Sequence, residues 1–379
     1  MLTIQLDQPD PEAVGHLLEA LWEQGGSDVL LTSGAPPLLR VDGRLAPVEG
    51  EEKLDPETAE KLILSVLGDR LTQRFIRDKE VDFSFSWGGR ARIRANAFLQ
   101  RGTPALALRL IPFYIPTFAE LGLPPVVERW ARLPHGFILV TGPTGSGKST
   151  TLASIIDYIN THRAMHIITV EDPVEYLHSH KRSAVNQREV GIDTNSFADA
   201  LRSVLREDPD VLLIGEMRDL ESIRAALTVA ETGHLVFATL HTNDSAQALD
   251  RIVDVFPAEQ QPQIRLQLAN TLAGILNQQL VTKVGGGRCA AFEVLVGNNP
   301  IRNLVREGKT LQIRNVVMTG YKEGMQTIEA ALSDLVGRGI ISYEEAVSHS
   351  SHPKEIERVG SLPSAQQREV WAADLGRWR

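Results

Sequence analysis

Apolar and polar positions along this chain follow two different rhythms, and the change between them marks its organisation. Over residues 12–24, Val14, Leu17, Leu18, Leu21 and Trp22 recur at helical spacing, and Gly25-Gly26 closes the helix they predict. "DVLLT" then reads as a strand, and "LLRVDGRLAPV" as a hairpin turning on Asp42-Gly43. "PETAEKLILSVL" predicts a second helix with proline in its first turn. "VDFSFSWGGRARIRANAFLQ" predicts another hairpin, and "PALALRLIP" a strand after it. Helix, strands, helix, strands describes a small α+β domain over residues 1–112. The proline-rich "IPFYIPTFAELGLPP" ends that pattern and predicts a hinge linker at 113–122.

From residue 123 the rhythm becomes a βα alternation. Continuous apolar segments at 137–141, 166–170, 211–214 and 235–240 are separated by helix-period stretches. Such runs predict a parallel sheet buried on both faces, an α/β domain over 123–350. Residues 351–379 show little sustained periodicity and read as a helical fragment or a mobile tail.

Composition narrows the setting. The 379 residues suit two domains, and a 42% hydrophobic, 23% charged make-up is that of an ordinary globular protein. A net charge of -9 argues against a general nucleic-acid binder, so no nucleic-acid partner is expected. The single cysteine, Cys289, excludes an intramolecular disulfide and any multi-cysteine zinc knot. The start "MLTIQLDQPD" lacks a secretory layout, and no apolar run approaches the roughly 20 residues that span a bilayer. The expectation is a cytoplasmic protein whose membrane contact goes through a partner.

The chemistry is concentrated at the strand ends. "VTGPTGSGKSTT" contains Gly-x-x-x-x-Gly-Lys-Ser from Gly142 to Ser149, after an apolar strand and before an amphipathic helix with Leu152, Ile155, Ile156 and Ile159 on one face. Glycines let backbone N–H groups close on phosphate oxygens, and the helix N-terminus favours the anion. The cradle is Gly142, Pro143, Thr144, Gly145, Ser146, Gly147, Lys148, Ser149 and Thr150, with Lys148 reaching the β- and γ-phosphates of ATP and Ser149 a ligand for Mg²⁺. Other apolar segments end in "VEDPVEY", which delivers Glu171, Asp172 and Glu175; in "LIGE", which delivers Glu216; and in "LVFATLH", which delivers His241, with His234 at its start. Hydrolysis needs an oriented water and a site that stabilises charge on the transferring phosphoryl. Glu175 and Glu216 are candidates for water activation and for holding Mg²⁺ through its waters, and the residues alone do not divide those tasks. His241 reads as a γ-phosphate sensor or a loop-fixing group. His178 and His180 read as a solvated loop.

Together "GPTGSGKSTT", "VEDPVEY", "LIGEMRD" and "GHLVFATLHTN" resemble the boxes of the secretion ATPases that power type II secretion and type IV pili, in the right order. The chain most resembles the PilT-type retraction ATPases over roughly residues 10–345. The resemblance implies a RecA-like P-loop ATPase domain preceded by a PAS-like α+β domain. It also implies a homo-hexameric ring that hydrolyses ATP with Mg²⁺ and acts on an inner-membrane pilus platform protein. By position, Glu175 matches the water-activating acid, Glu216 the strand-end glutamate serving Mg²⁺ and water, and His234 and His241 the paired histidines. Arg94 in "RARIRANAF" and Arg109 in "ALALRLIP" match the N-terminal arginines that reach the nucleotide, and Arg218 in "GEMRD" is a further candidate. The absence of a four-cysteine loop favours retraction over extension or type II secretion. "NNPIRN" departs from the family's usual form there, which leaves an accessory pilus paralogue as an alternative, and a paralogous pilus ATPase as a partner. A nucleotide switch with little turnover and a DNA-transport ATPase are the remaining alternatives.

Overall fold

The computed structural model describes residues 11–357 apart from Asp42 and Arg218. Two compact units are present. One runs to Ile115 and takes in Glu175–Leu177; the other comprises Pro116–Val174 and continues from His178.

In the first unit, α1 (Gly15–Glu23) and α2 (Pro56–Asp78) accompany six strands: β1 (Asp28–Thr32), β2 (Leu38–Val41), β3 (Arg44–Pro47), β4 (Glu80–Trp87), β5 (Ala91–Gln100) and β6 (Thr103–Pro112). The strands form one antiparallel sheet in the order β3-β2-β1-β6-β5-β4. Alternate positions of β5 (Ala91, Ile93, Ala95, Ala97) are buried in a core with Leu17, Leu21, Ile63 and Leu67 of the helices. Their neighbours Arg92, Arg94 and Asn96 therefore lie on the opposite face. This is the α+β layout the sequence predicts. The second helix is longer than expected, passing through a kink at Gly68 (φ 65°) and burying Leu71 and Phe75 beyond it.

The second unit opens with α3 (Phe118–Leu121) and α4 (Val126–Ala131). Part of the expected 113–122 linker is thus ordered: a Thr117–Glu120 capping box starts α3, and Phe118 stacks on Tyr158 at 4.8 Å. Then follow β7 (Gly136–Thr141), α5 (Lys148–His162), β8 (His166–Glu171), β9 (Ala184–Glu189), α6 (Phe197–Val204), β10 (Val211–Ile214), α7 (Leu220–Glu231), β11 (Leu235–Leu240), α8 (Ser245–Asp254) and α9 (Gln261–Thr271). The unit closes with β12 (Leu272–Thr282), β13 (Arg288–Val296), α10 (Asn299–Glu307), α11 (Ile313–Thr319), α12 (Ile328–Gly337) and α13 (Tyr343–Ser348).

Its sheet runs β13-β12-β7-β11-β10-β8-β9, all pairs parallel except the β12–β13 edge hairpin. Every residue of β7, β10 and β11 is buried, as the unbroken apolar runs require. Phe137 and Leu139 face a core shared with α6 to α11, whereas Ile138 and Val140 face α4 and α5. Packing continues past residue 350: Ile356 is buried against Leu332, and Glu355 pairs with Arg314 at 2.6 Å. The rest of the expected tail, from residue 358, lies outside the described residues.

Gly274 in β12 lies against the buried Trp130 indole, and a Cβ there would overlap the ring. Gly274→Ala should therefore overpack this core and lower unfolding free energy by about 1–3 kcal/mol, read by chemical denaturation.

Candidate active site

In a parallel sheet all strands deliver their carboxyl ends to one edge, where ligands sit. Strands β7, β11 and β10 are adjacent there and are followed by the phosphate loop, His241 and Glu216 respectively. The loop turns through positive φ at Gly142 (140°), Gly145 (79°) and Gly147 (89°), values that side chains bearing a Cβ rarely adopt. Gly147 then stands as the N-cap of α5, so the first turn of that helix opens toward the loop.

Lys148 is folded back into this loop and is only 8% exposed. Its ammonium donates to Gly142 O and Pro143 O, both at 2.9 Å. It also lies 3.4 Å from Nδ1 of His241, and Thr144 Oγ1 approaches the same nitrogen at 3.3 Å. An ammonium has donors only, so Nδ1 accepts and the imidazole carries its proton on Nε2. That Nε2 lies 3.3 Å from Glu216 Oε1 and donates to it. One polar chain, Lys148–His241–Glu216, thereby joins three neighbouring strand ends.

The glycine before Glu216 has a structural cause. Gly215 N donates to Val170 O at 2.8 Å, and a Cβ at 215 would come within 3.2 Å of Glu171 Cα. Thr239 Oγ1 donates to Gly215 O from the other side. Position 215 is clasped between β8 and β11, and the acid that faces the site is the next residue.

Ser149 is exposed at the second position of α5, and Thr150 is half-buried beside it. Among the described residues no group of three or more His, Cys, Asp or Glu is placed to hold a metal ion. Hard oxygen donors from Ser149 and Glu216 suit Mg²⁺, which keeps most of its waters and takes few protein ligands when it arrives with a nucleotide.

The remaining candidates lie elsewhere. His234 immediately precedes β11, so six strand residues, about 20 Å, separate it from His241. Its Nδ1 pairs with Val229 O at 3.0 Å and Thr232 Oγ1 at 3.1 Å, which ties it to the end of α7. Arg94 and Arg109 are direct cross-strand partners in the first unit, and Arg109 Nε donates to Asp28 Oδ1 at 2.8 Å. Glu175 is half-buried in the segment grouped with that unit. Arg218 lies outside the described residues.

Two site residues were not found from sequence. Gln278 of β12 donates to Ser146 O at 2.6 Å and accepts from Thr151 Oγ1 at 2.7 Å, bracing both sides of the phosphate loop. Its neighbour Asn277 donates to Thr141 Oγ1 at 2.9 Å and Thr242 O at 3.1 Å, tying the ends of β7 and β11. The available signal was a polar run of three, "NQQ", inside an otherwise apolar strand.

A family model described as type II/IV secretion system protein matches residues 73–352. The chain belongs to that family. It is 47% identical over 341 residues to the type IV pilus retraction ATPase PilT of Pseudomonas aeruginosa, covering 90% of this chain and 99% of that one. It is also 47% identical over 311 residues to a twitching motility protein of Neisseria gonorrhoeae, covering 82% and 83% of the two chains. A crystal structure of the pilus retraction motor PilT with bound ADP superposes with a TM-score of 0.83 at 50% identity, covering 90% of this chain and 98% of that one. The P-loop ATPase domain of the secretion family is therefore the domain that β7, α5 and the phosphate loop build here.

Gln278→Ala removes two hydrogen bonds from the loop and should weaken nucleotide binding about tenfold, measured by titration with a fluorescent ADP. Gly142→Ala should be more severe, because a Cβ at that φ would strike the Gln278 backbone oxygen.

Proposed function

We infer that this chain is an ATP-hydrolysing motor for type IV pilus retraction, working as a homo-hexameric ring. The observation that carries this reading is the Lys148–His241–Glu216 chain at three adjacent strand ends, in a protein 47% identical to a retraction ATPase over nearly its whole length. In this reading, backbone N–H groups of Gly142–Ser149 and the start of α5 hold the β- and γ-phosphates. Lys148 exchanges its two loop carbonyls for phosphate oxygens. Ser149 and Glu216 would hold a Mg²⁺ arriving with ATP, which would supply positive charge beside the phosphates. Glu175 orients the attacking water and takes its proton, while His241 relays the state of the γ-phosphate side of the loop to Glu216. Arg94 and Arg109 stabilise charge on the transferring group, Arg109 by leaving Asp28.

Closure of the N-terminal unit about the 113–122 linker then becomes mechanical work on an inner-membrane platform protein. Among the described residues no helix is long and apolar enough to cross a membrane, which suits a motor that reaches the bilayer through a partner. A paralogous pilus ATPase is a further candidate partner.

Glu175→Ala should lower phosphate release about 10²- to 10⁴-fold while nucleotide still binds, measured in purified protein with Mg-ATP. Cells carrying Lys148→Ala as the sole copy should extend pili and fail to retract them. Normal retraction in those cells would remove the motor reading.

A further inference from the structure

The seven-stranded sheet has two edges, β9 and β13, and the chemistry at its centre draws on neither. Each edge nevertheless sends one nearly buried glutamate to the backbone of a loop at the ligand end. Glu189, the last residue of β9, is 6% exposed and accepts from Val174 N at 3.1 Å. Two residues earlier, Gln187 Oε1 accepts from His178 N at 2.8 Å, while its Nε2 donates to Glu171 Oε1 at 3.2 Å. Val174 and His178 flank Glu175 at a distance of one and three residues, so the segment carrying Glu175 is tied at both ends to β9.

The opposite edge repeats the device. Glu293 of β13 is 8% exposed and accepts from Ser245 N at 2.9 Å, four residues after His241. Asn277, its cross-strand partner in β12, donates to Thr242 O. The His241–Ser245 segment is thus held at 242 and 245 by adjacent strands.

A buried carboxylate costs several kcal/mol of desolvation, so one directed at a loop backbone N–H does more than fill space. Burial does push the Glu293 carboxyl up, with Asp244 and Glu329 adding to the effect and the Ser245 hydroxyl and N–H opposing it. What a fixed acceptor supplies is geometry. An N–H held from a rigid strand sets the loop's position, and misplacement of a catalytic group by about 1 Å costs on the order of 100-fold in rate.

We propose that Glu189 and Glu293 are positioning residues for phosphoryl transfer: Glu189, with Gln187, sets the segment bearing Glu175, and Glu293, with Asn277, sets the segment bearing His241. The assignment rests on the roles given above to Glu175 and His241. Neither glutamate touches the reacting atoms.

The test compares alanine and glutamine at each position in the full chain, reading kcat, KM for ATP, ADP affinity and thermal unfolding. Glu189→Ala and Glu293→Ala should lower kcat at least tenfold, with ADP affinity within about threefold of wild type. Glu189→Gln and Glu293→Gln keep an acceptor oxygen in place and should restore most of the rate. Folded alanine variants with wild-type kcat, or glutamine variants as slow as alanine, would overturn the proposal. Two further variants decide the matter if alanine at either site prevents folding. Ser245→Pro deletes the N–H and the hydroxyl that face Glu293 at the first position of α8, where proline is tolerated, and Gln187→Ala releases His178 N. Both should slow turnover in the same way, and wild-type kcat in either sinks that half. Glu175→Ala and His241→Ala run in parallel: full turnover there overturns the underlying reading, whereas loss there with none in the glutamate variants overturns the tethers alone.

Discussion

The Lys148 ammonium is a buried positive charge held by two carbonyl oxygens of its own loop and by the imidazole of His241. An isolated ammonium at that depth would carry a large desolvation penalty, so its partners are obligatory. In the proposed reading phosphate oxygens, which bring opposite charge, take their place. The same constraint fixes the imidazole's tautomer, since a nitrogen facing an ammonium must accept, and the tautomer in turn directs the Nε2 proton at Glu216. Charge at the phosphate loop therefore reaches a carboxylate two strands away through a single ring.

The chain of contacts exists because the sheet is parallel through β7, β11 and β10. Register places Thr141 beside Leu240, so the residues that follow both strands start at the same level. Gly215 packs tightly on β8, where a Cβ would meet Val170 O and Glu171 Cα at 3.3 and 3.2 Å, and Glu216 follows it. β12 then supplies two amides from the far side of β7: Gln278 braces the phosphate loop, and Asn277 ties the ends of β7 and β11.

The first unit is built on different principles. Its antiparallel sheet buries one face under α1 and α2 and leaves Arg92, Arg94 and Arg109 on the other. Arg94 and Arg109 stand side by side, a like-charge pair that costs stability on a sheet surface, and Asp28 offsets it from Arg109 alone.

Periodicity and local motifs determined a good part of this molecule. The phosphate loop was readable because its chemistry lies in eight consecutive residues between a strand and a helix, and β7, β8, β10 and β11 because strands buried on both faces must be apolar throughout. Glu216 followed from its place at such a strand's end. The tertiary structure alone separated His241 from His234, since residues at the two ends of one strand are neighbours in the sequence and about 20 Å apart in space. It alone revealed Gln278, Asn277, Glu189 and Glu293, and it added the β12–β13 hairpin and the polar strand β9. Each of those side chains acts on backbone groups that lie up to 132 residues away along the chain, and a contact of that kind leaves no spacing for a sequence to display.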